Sequence, residues 1–186
     1  MGRPKLLLPF DGGTVLGATL AVVTASAVDR VVVVTGASAE AVEASIGDDV
    51  RVSVVRNADH RRGNMSSLLV GTASDPDAEA FVQVPGDMPT MPRSAIDALV
   101  DRWHAASPWA AVTAYRDRIA HPFLLSRAAI EEGAHLEGSK VLWRALVESG
   151  DERVARVSMD FDAPLDVNTP DDYESLVQRS ARRRRT

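Results

Sequence analysis

Between Arg30 and Thr35 the chain reads Val31-Val32-Val33-Val34 with no polar interruption. A strand with one face in water alternates apolar and polar residues, so an unbroken β-branched run implies cover on both faces. Helices must then lie above and below the sheet that contains it. Further short runs read as strands: Val52-Ser53-Val54-Val55, Ala80-Phe81-Val82-Gln83-Val84, Trp109 to Ala114, Pro122-Phe123-Leu124-Leu125 and Val154 to Met159. Helical stretches separate them, at residues 14–26, 38–46, 65–73, 127–132, 140–148, after Pro92 and from Pro170 onward. Ser38 is a candidate cap for the second. Strand–helix alternation of this kind predicts a three-layer α/β/α fold with a mostly parallel sheet. Arg116-Asp117-Arg118 makes a charged turn between two strand runs and predicts a hairpin there.

A chain of 186 residues suits one domain, read as residues 1–181 followed by a basic tail at 182–186. Its net charge of −5 argues against nucleic acid as the main partner. No stretch is long and apolar enough to span a membrane. The absence of cysteine excludes disulfides and thiolate metal sites, and it fits a cytoplasmic protein.

In α/β sheets of this kind ligands bind beyond the carboxyl ends of the strands. The loops that begin near Gly36, Asn57, Pro85 and Leu165 are therefore the places to look. Asp87 follows a buried strand within Pro85-Gly86-Asp87-Met88-Pro89, where a carboxylate can hold a hard cation such as magnesium; an ordinary turn aspartate is the plainer reading. In Asp166-Val167-Asn168-Thr169-Pro170-Asp171-Asp172, the alternation of an extended chain turns Asp166 and Asn168 to one side. Asn168 or Thr169 could instead cap the last helix, but capping leaves Asp166 unexplained. Asp87 and Asp166 together would make a metal site that neither makes alone.

The stretch from Asn57 to Gly71 carries Gly63-Asn64-Met65-Ser66-Ser67-Leu68 at a helix start. Free N–H groups and hydroxyls there can bind an anion or read the edge of a base. Capping by Asn64 or Ser66 is the competing account. Lys5 can neutralise a phosphate or simply be solvated. The histidines share no metal-binding spacing, although His121-Pro122 opens a strand and can line a pocket. Neither a Gly-x-Ser-x-Gly elbow nor a complete phosphate-loop motif is present.

Taken in order, Met1-Gly2-Arg3-Pro4-Lys5-Leu6-Leu7-Leu8-Pro9, Gly63 to Leu68, Pro85 to Pro89, His121-Pro122 and Leu165 to Asp172 resemble the molybdopterin nucleotidyltransferases. The nearest likeness is to the molybdenum cofactor cytidylyltransferases. The resemblance implies a Rossmann-like nucleotidyltransferase fold and transfer of a nucleoside monophosphate, CMP from CTP with GTP as the alternative donor, to a molybdopterin-type acceptor. It makes Lys5 a triphosphate ligand and assigns nucleotide contacts to Asn57, Gly63, Met65, Ser66, Ser67 and Gly86. Asp87, with Asp166 or Asn168, would hold Mg²⁺, and His121, Pro122 and Lys140 would face the acceptor. A molybdoenzyme maturation protein is the implied protein partner.

The sequence departs from the family pattern in three places. The family has a strand and a Leu-Ala-Ala-Gly-x-Ser-x-Arg type loop ahead of its Met-Gly-x-Pro-Lys segment, with that strand at the centre of the sheet; here the sequence opens on Met1, so the sheet is expected to contain a gap. Gly-His-Pro is replaced by Ala120-His121-Pro122. The acceptor-side Gly-Asp-x-Gly-Ala-Arg pattern is replaced by Glu137 to Trp143. Two other readings follow: a nucleotide-binding or cofactor-handover protein without catalysis, and a nucleotide-sugar-using transferase. The latter calls for paired carboxylates after the central strand, and Gly86-Asp87-Met88 supplies one.

Overall fold

Alternation along two strands shows how the layers are built. In β6 (Ala110–Ala114) and β7 (Ile119–Ser126), Ala110, Val112, Phe123 and Leu125 point to one face and Ala111 and Leu124 to the other. The first set packs on Ala129, Ile130 and Leu146. These come from α5 (Arg127–Gly133) and from the turn of π-helix at Arg144–Glu148 that continues α6 (Val141–Trp143). The second set packs on Leu99 and Trp103 of α4 (Arg93–Ala106). Period-two burial on both faces of a sheet produces the expected three layers. This computed structural model describes residues 4–135 and 141–183, so Lys140 lies outside the described residues.

The remaining elements are β1 (Pro9–Phe10), β2 (Gly13–Thr14), α1 (Val15–Thr24), β3 (Val31–Thr35), α2 (Ala39–Glu43), β4 (Val52–Arg56), α3 (Asn64–Ala73), β5 (Ala80–Gln83), β8 (Val154–Ser158) and α7 (Pro170–Arg183). None of the described helices is long and apolar enough to cross a membrane. Helix α1 is capped by Thr14, whose hydroxyl accepts from the Gly17 amide at 3.0 Å. Ser38 does not cap α2 as expected. Its φ of 58° is left-handed, whereas a side-chain cap needs an extended residue.

The expectation of a mostly parallel sheet is corrected. The larger sheet has the order β5-β7-β6-β8, with β7 antiparallel to both neighbours and only β6–β8 parallel. The cause is the short turn after β6. It forces β7 back alongside, as predicted for the hairpin, and β7 then takes the place next to β5. The parallel pair β3–β4 forms a separate sheet.

The edges of these two sheets face one another. Val31 N donates to Arg51 O and Thr35 O accepts from Asn57 N, so the odd-numbered residues of β3 bond β4 and the main-chain groups of Val32 and Val34 point away. Likewise Arg127 N donates to Glu79 O, which leaves the main chain of Ala80 and Val82 on the side of β5 remote from β7. Residues 30–36 and 79–87 line a common cleft of about 1340 Å³, and among the described residues no ladder bonds cross it. The edges of β3 and β5 therefore face one another across this cleft without pairing.

Candidate functional site

One backbone hydrogen bond assembles the site. Val167 N donates to Asp87 O at 3.0 Å, which joins the loop after β5 to the stretch that leads into α7. Asp87 is buried, and on its other side Thr19 of α1 donates its hydroxyl to Gly86 O at 3.1 Å. Gly86 leaves little room for a side chain: a Cβ would sit 3.2 Å from Leu16 Cδ1 and 3.4 Å from Leu6 Cδ2. The same Leu6 belongs to a single 3₁₀ turn at Lys5–Leu7, so its packing against Gly86 brings Lys5 beside Asp87.

Lys5 Nζ lies 2.5 Å from Asp87 Oδ2 and 2.9 Å from Asn168 Oδ1. Asn168 Nδ2 in turn donates to Asp166 Oδ2, which fixes the amide with its oxygen toward the lysine. The choice between capping and site roles in this segment is resolved by division of labour. Thr169 and Asp172 form the cap, since Thr169 N donates to Asp172 Oδ2 at 2.7 Å and Asp172 N to Thr169 Oγ1 at 3.2 Å. Those two bonds leave the Asn168 side chain to the cluster. Hydrogen bonds from the Thr169 hydroxyl and from backbone amides hold the Asp172 carboxyl below the usual range.

His121 lines the same cleft and stacks on Phe123, with ring centroids 4.3 Å apart. Burial holds its imidazole below the ordinary histidine range, against the opposing pull of the Asp166 and Asp87 charges. The ring is thereby kept neutral near pH 7. Its backbone is fixed by Tyr115, whose hydroxyl donates to His121 O at 2.8 Å. Pro122 follows in a cis peptide bond, and its carbonyl accepts from the Thr113 hydroxyl at 2.8 Å.

The stretch beginning at Asn57 works differently from the expectation. The Asn57 amide donates to Ser66 Oγ at 2.7 Å and Ser67 Oγ at 3.0 Å, and its oxygen accepts from Asp59 N at 2.9 Å. Asn57 is buried and fully engaged, so it tethers the hydroxyls at the start of α3. Neither Asn64 nor Ser66 caps that helix. Its N-cap is Gly63, whose φ of 101° only glycine adopts without strain, and no side chain caps the first turn. Met65 turns instead toward Gly133 of α5. Asn57→Ala should lower stability by about 1–3 kcal/mol, because it removes a buried side chain whose amide holds two half-buried hydroxyls. Urea unfolding measures this, and a loss under about 0.5 kcal/mol would rule out the tether.

Lys5, Asp87, Asp166, Asn168 and His121 thus gather at one end of the cleft, while Asn57, Gly63, Ser66 and Ser67 form a second patch at the start of α3. Sequence reading missed Thr19, Tyr115 and the Val167 amide, which hold the first group in place. Among the described residues no cluster of three or more histidine, aspartate or glutamate side chains is poised for a metal. The donor set still suits a hard cation: a carboxylate oxygen and an amide oxygen converge on one positive charge, with a second carboxylate behind. A magnesium-type ion completes such a shell with water and substrate phosphates.

An α/β sheet with a lysine and carboxylates meeting past a strand's carboxyl end is the architecture of a protein that handles phosphate esters. The chain belongs to the MobA-like NTP transferase domain family, whose sequence profile matches residues 1–154. It is similar to Rv0371c from Mycobacterium tuberculosis H37Rv, with 35% identity, a TM-score of 0.84 and coverage of 96% of this chain and 90% of that one. A structure of Rv0371C in complex with manganese gives 37% identity, a TM-score of 0.80 and coverage of 95% and 93%. A nucleotidyl transferase from Methanothermobacter, Mth528, gives 25% identity, a TM-score of 0.78 and coverage of 96% and 85%. No curated protein gives a match. The chain is therefore a nucleotidyltransferase of Rossmann-like α/β fold with a mixed sheet.

Proposed function

We propose that this protein transfers CMP from CTP to a molybdopterin-type acceptor and releases pyrophosphate, with Mg²⁺ held by Asp87 and by Asp166 or Asn168. The observation that carries the proposal is the convergence of Lys5, Asp87, Asn168 and Asp166 beyond β5 in a chain of the NTP transferase family. The manganese bound by the similar Rv0371C supports a divalent cation at such a site.

The acceptor's terminal phosphate oxygen attacks the α-phosphorus of the nucleotide. A P–O bond forms there as the bond to the β-phosphate oxygen breaks, and pyrophosphate leaves with that electron pair. The nucleophile is already anionic, so no general base is required. Bound at the carboxylates, the cation would supply charge neutralisation at the phosphates. Lys5 contributes a second positive charge to the triphosphate. The start of α3, with its uncapped first turn and the hydroxyls of Ser66 and Ser67, is assigned to the nucleotide, and the neutral His121 and Pro122 to the acceptor wall. Lys140 is assigned to an acceptor phosphate.

Pyrophosphate release with Mg²⁺, molybdopterin cofactor and either CTP or GTP tests the proposal. CTP-dependent release that requires the pterin is the expected result. Release with GTP alone would reverse the base assignment. Nucleotide binding without any release would leave the handover reading in its place.

A further inference from the structure

We infer that the Lys5 ammonium is a resident counter-cation: it occupies the place of the divalent ion between Asp87 and Asn168 and is displaced when that ion binds. The inference rests on the cation site proposed above and extends it to the order in which charges enter.

Three observations carry it. First, Lys5 Nζ contacts both oxygens offered to a cation, Asp87 Oδ2 at 2.5 Å and Asn168 Oδ1 at 2.9 Å. A metal ion bound to the same two oxygens would lie within van der Waals contact of that nitrogen, and two positive charges cannot share so small a space. Binding of one therefore expels the other.

Second, the residues that carry the oxygens are anchored without the lysine. Asp87 is tied through its carbonyl to Val167 N, and Asn168 through its amide to Asp166 and through its backbone N–H to Asp172 at 3.1 Å. The ligands therefore remain in place when the ammonium leaves. Third, the lysine has somewhere to go. Its side chain is 37% exposed against 12% for Asp87, while its backbone is pinned by Leu6 at Gly86. The flexible stem moves and the anchor stays, so the displaced ammonium remains beside the site and within reach of an incoming triphosphate.

The exchange makes metal and nucleotide binding cooperative. The ion alone must evict Lys5 into water, whereas with nucleotide present the ammonium gains phosphate oxygens in return. The test is Mn²⁺ affinity by electron paramagnetic resonance on the purified chain, with and without CTP. Without nucleotide, Lys5→Met should bind Mn²⁺ more tightly than the unaltered protein, by roughly fivefold or more, because nothing has to be displaced. Lys5→Arg, which keeps the charge, should not show the gain. The Mn²⁺-induced rise in melting temperature should also be larger for Lys5→Met.

Equal or weaker Mn²⁺ binding by Lys5→Met overturns the exchange. Asp87→Asn and Asp166→Asn separate this from failure of the site itself: if both bind Mn²⁺ as well as the unaltered protein, the ion sits elsewhere and the functional reading is at fault.

Discussion

Asp87→Ala should abolish pyrophosphate release and weaken Mn²⁺ binding while leaving the fold intact. Asp87 supplies the shorter of the two contacts to Lys5. It stands where a backbone hydrogen bond joins the loop after β5 to the segment before α7, but that junction uses its backbone carbonyl, not its carboxylate. The substitution therefore removes charge without removing the frame. Loss of an electrostatic anchor in a phosphoryl-transfer site costs about 3 kcal/mol or more of transition-state stabilisation, a rate loss of two to three orders of magnitude. Steady-state pyrophosphate assays and a melting curve on the same preparation decide it. Activity within tenfold of the unaltered protein, with the melting temperature unchanged, would remove Asp87 from the chemistry.

The second large effect belongs to the core. Phe123→Ala should destabilise the protein by about 3–5 kcal/mol, the range for emptying a buried aromatic site. Phe123 is buried on the face of β7 that packs against α5 and α6, and it sits between the His121 and Trp143 rings. The cavity would free His121 from its stack and admit water beside it. The imidazole should then titrate closer to its ordinary value, since burial is what depresses it. A depressed histidine pKa leaves stability unchanged above the ordinary value, where both states are neutral, and it opposes folding as pH falls below the unfolded value, because the buried ring resists protonation. Denaturant unfolding combined with an NMR titration of the histidines measures both consequences. A loss below about 1 kcal/mol would mean the neighbouring side chains close the space.

Much of this was legible in the residues. The Val31 to Val34 run and the Phe123-Leu124-Leu125 run marked strands, and β3, β4, β5, β6, β7 and β8 all lie where such runs occur; Phe123, Leu124 and Leu125 are buried, whereas Val32 to Val34 are only half-buried. Periodicity says nothing about neighbours, however, so the insertion of β7 between β5 and β6 had to come from the structure. The small hairpin of β1 and β2 was overlooked although its signal is present. Asp11 and Gly12 both have positive φ, the conformation that an Asp-Gly pair supplies in a two-residue turn. At the site, Asp87, Asp166, Asn168 and Lys5 could be named from motif and position, because chemistry is carried by residue type. The commitment of Asn57 to two serines could not, because it depends on a long-range approach between a strand end and a helix start.

The facing edges of β3 and β5 bear on how the molecule comes apart. Continuous sheets unfold as one unit because each strand's hydrogen bonds are shared with the next. Here β3 and β4 are coupled to the larger sheet through side chains and connecting helices, including the contact of Arg30 with Asp75 at 2.9 Å. Local opening of this unit breaks no ladder in the larger sheet, so its amides are expected to exchange with solvent hydrogen sooner than those of the β5–β8 sheet. Opened strands of this kind present adhesive borders to other chains, and the Val-rich β3 is the segment on which aggregation would begin.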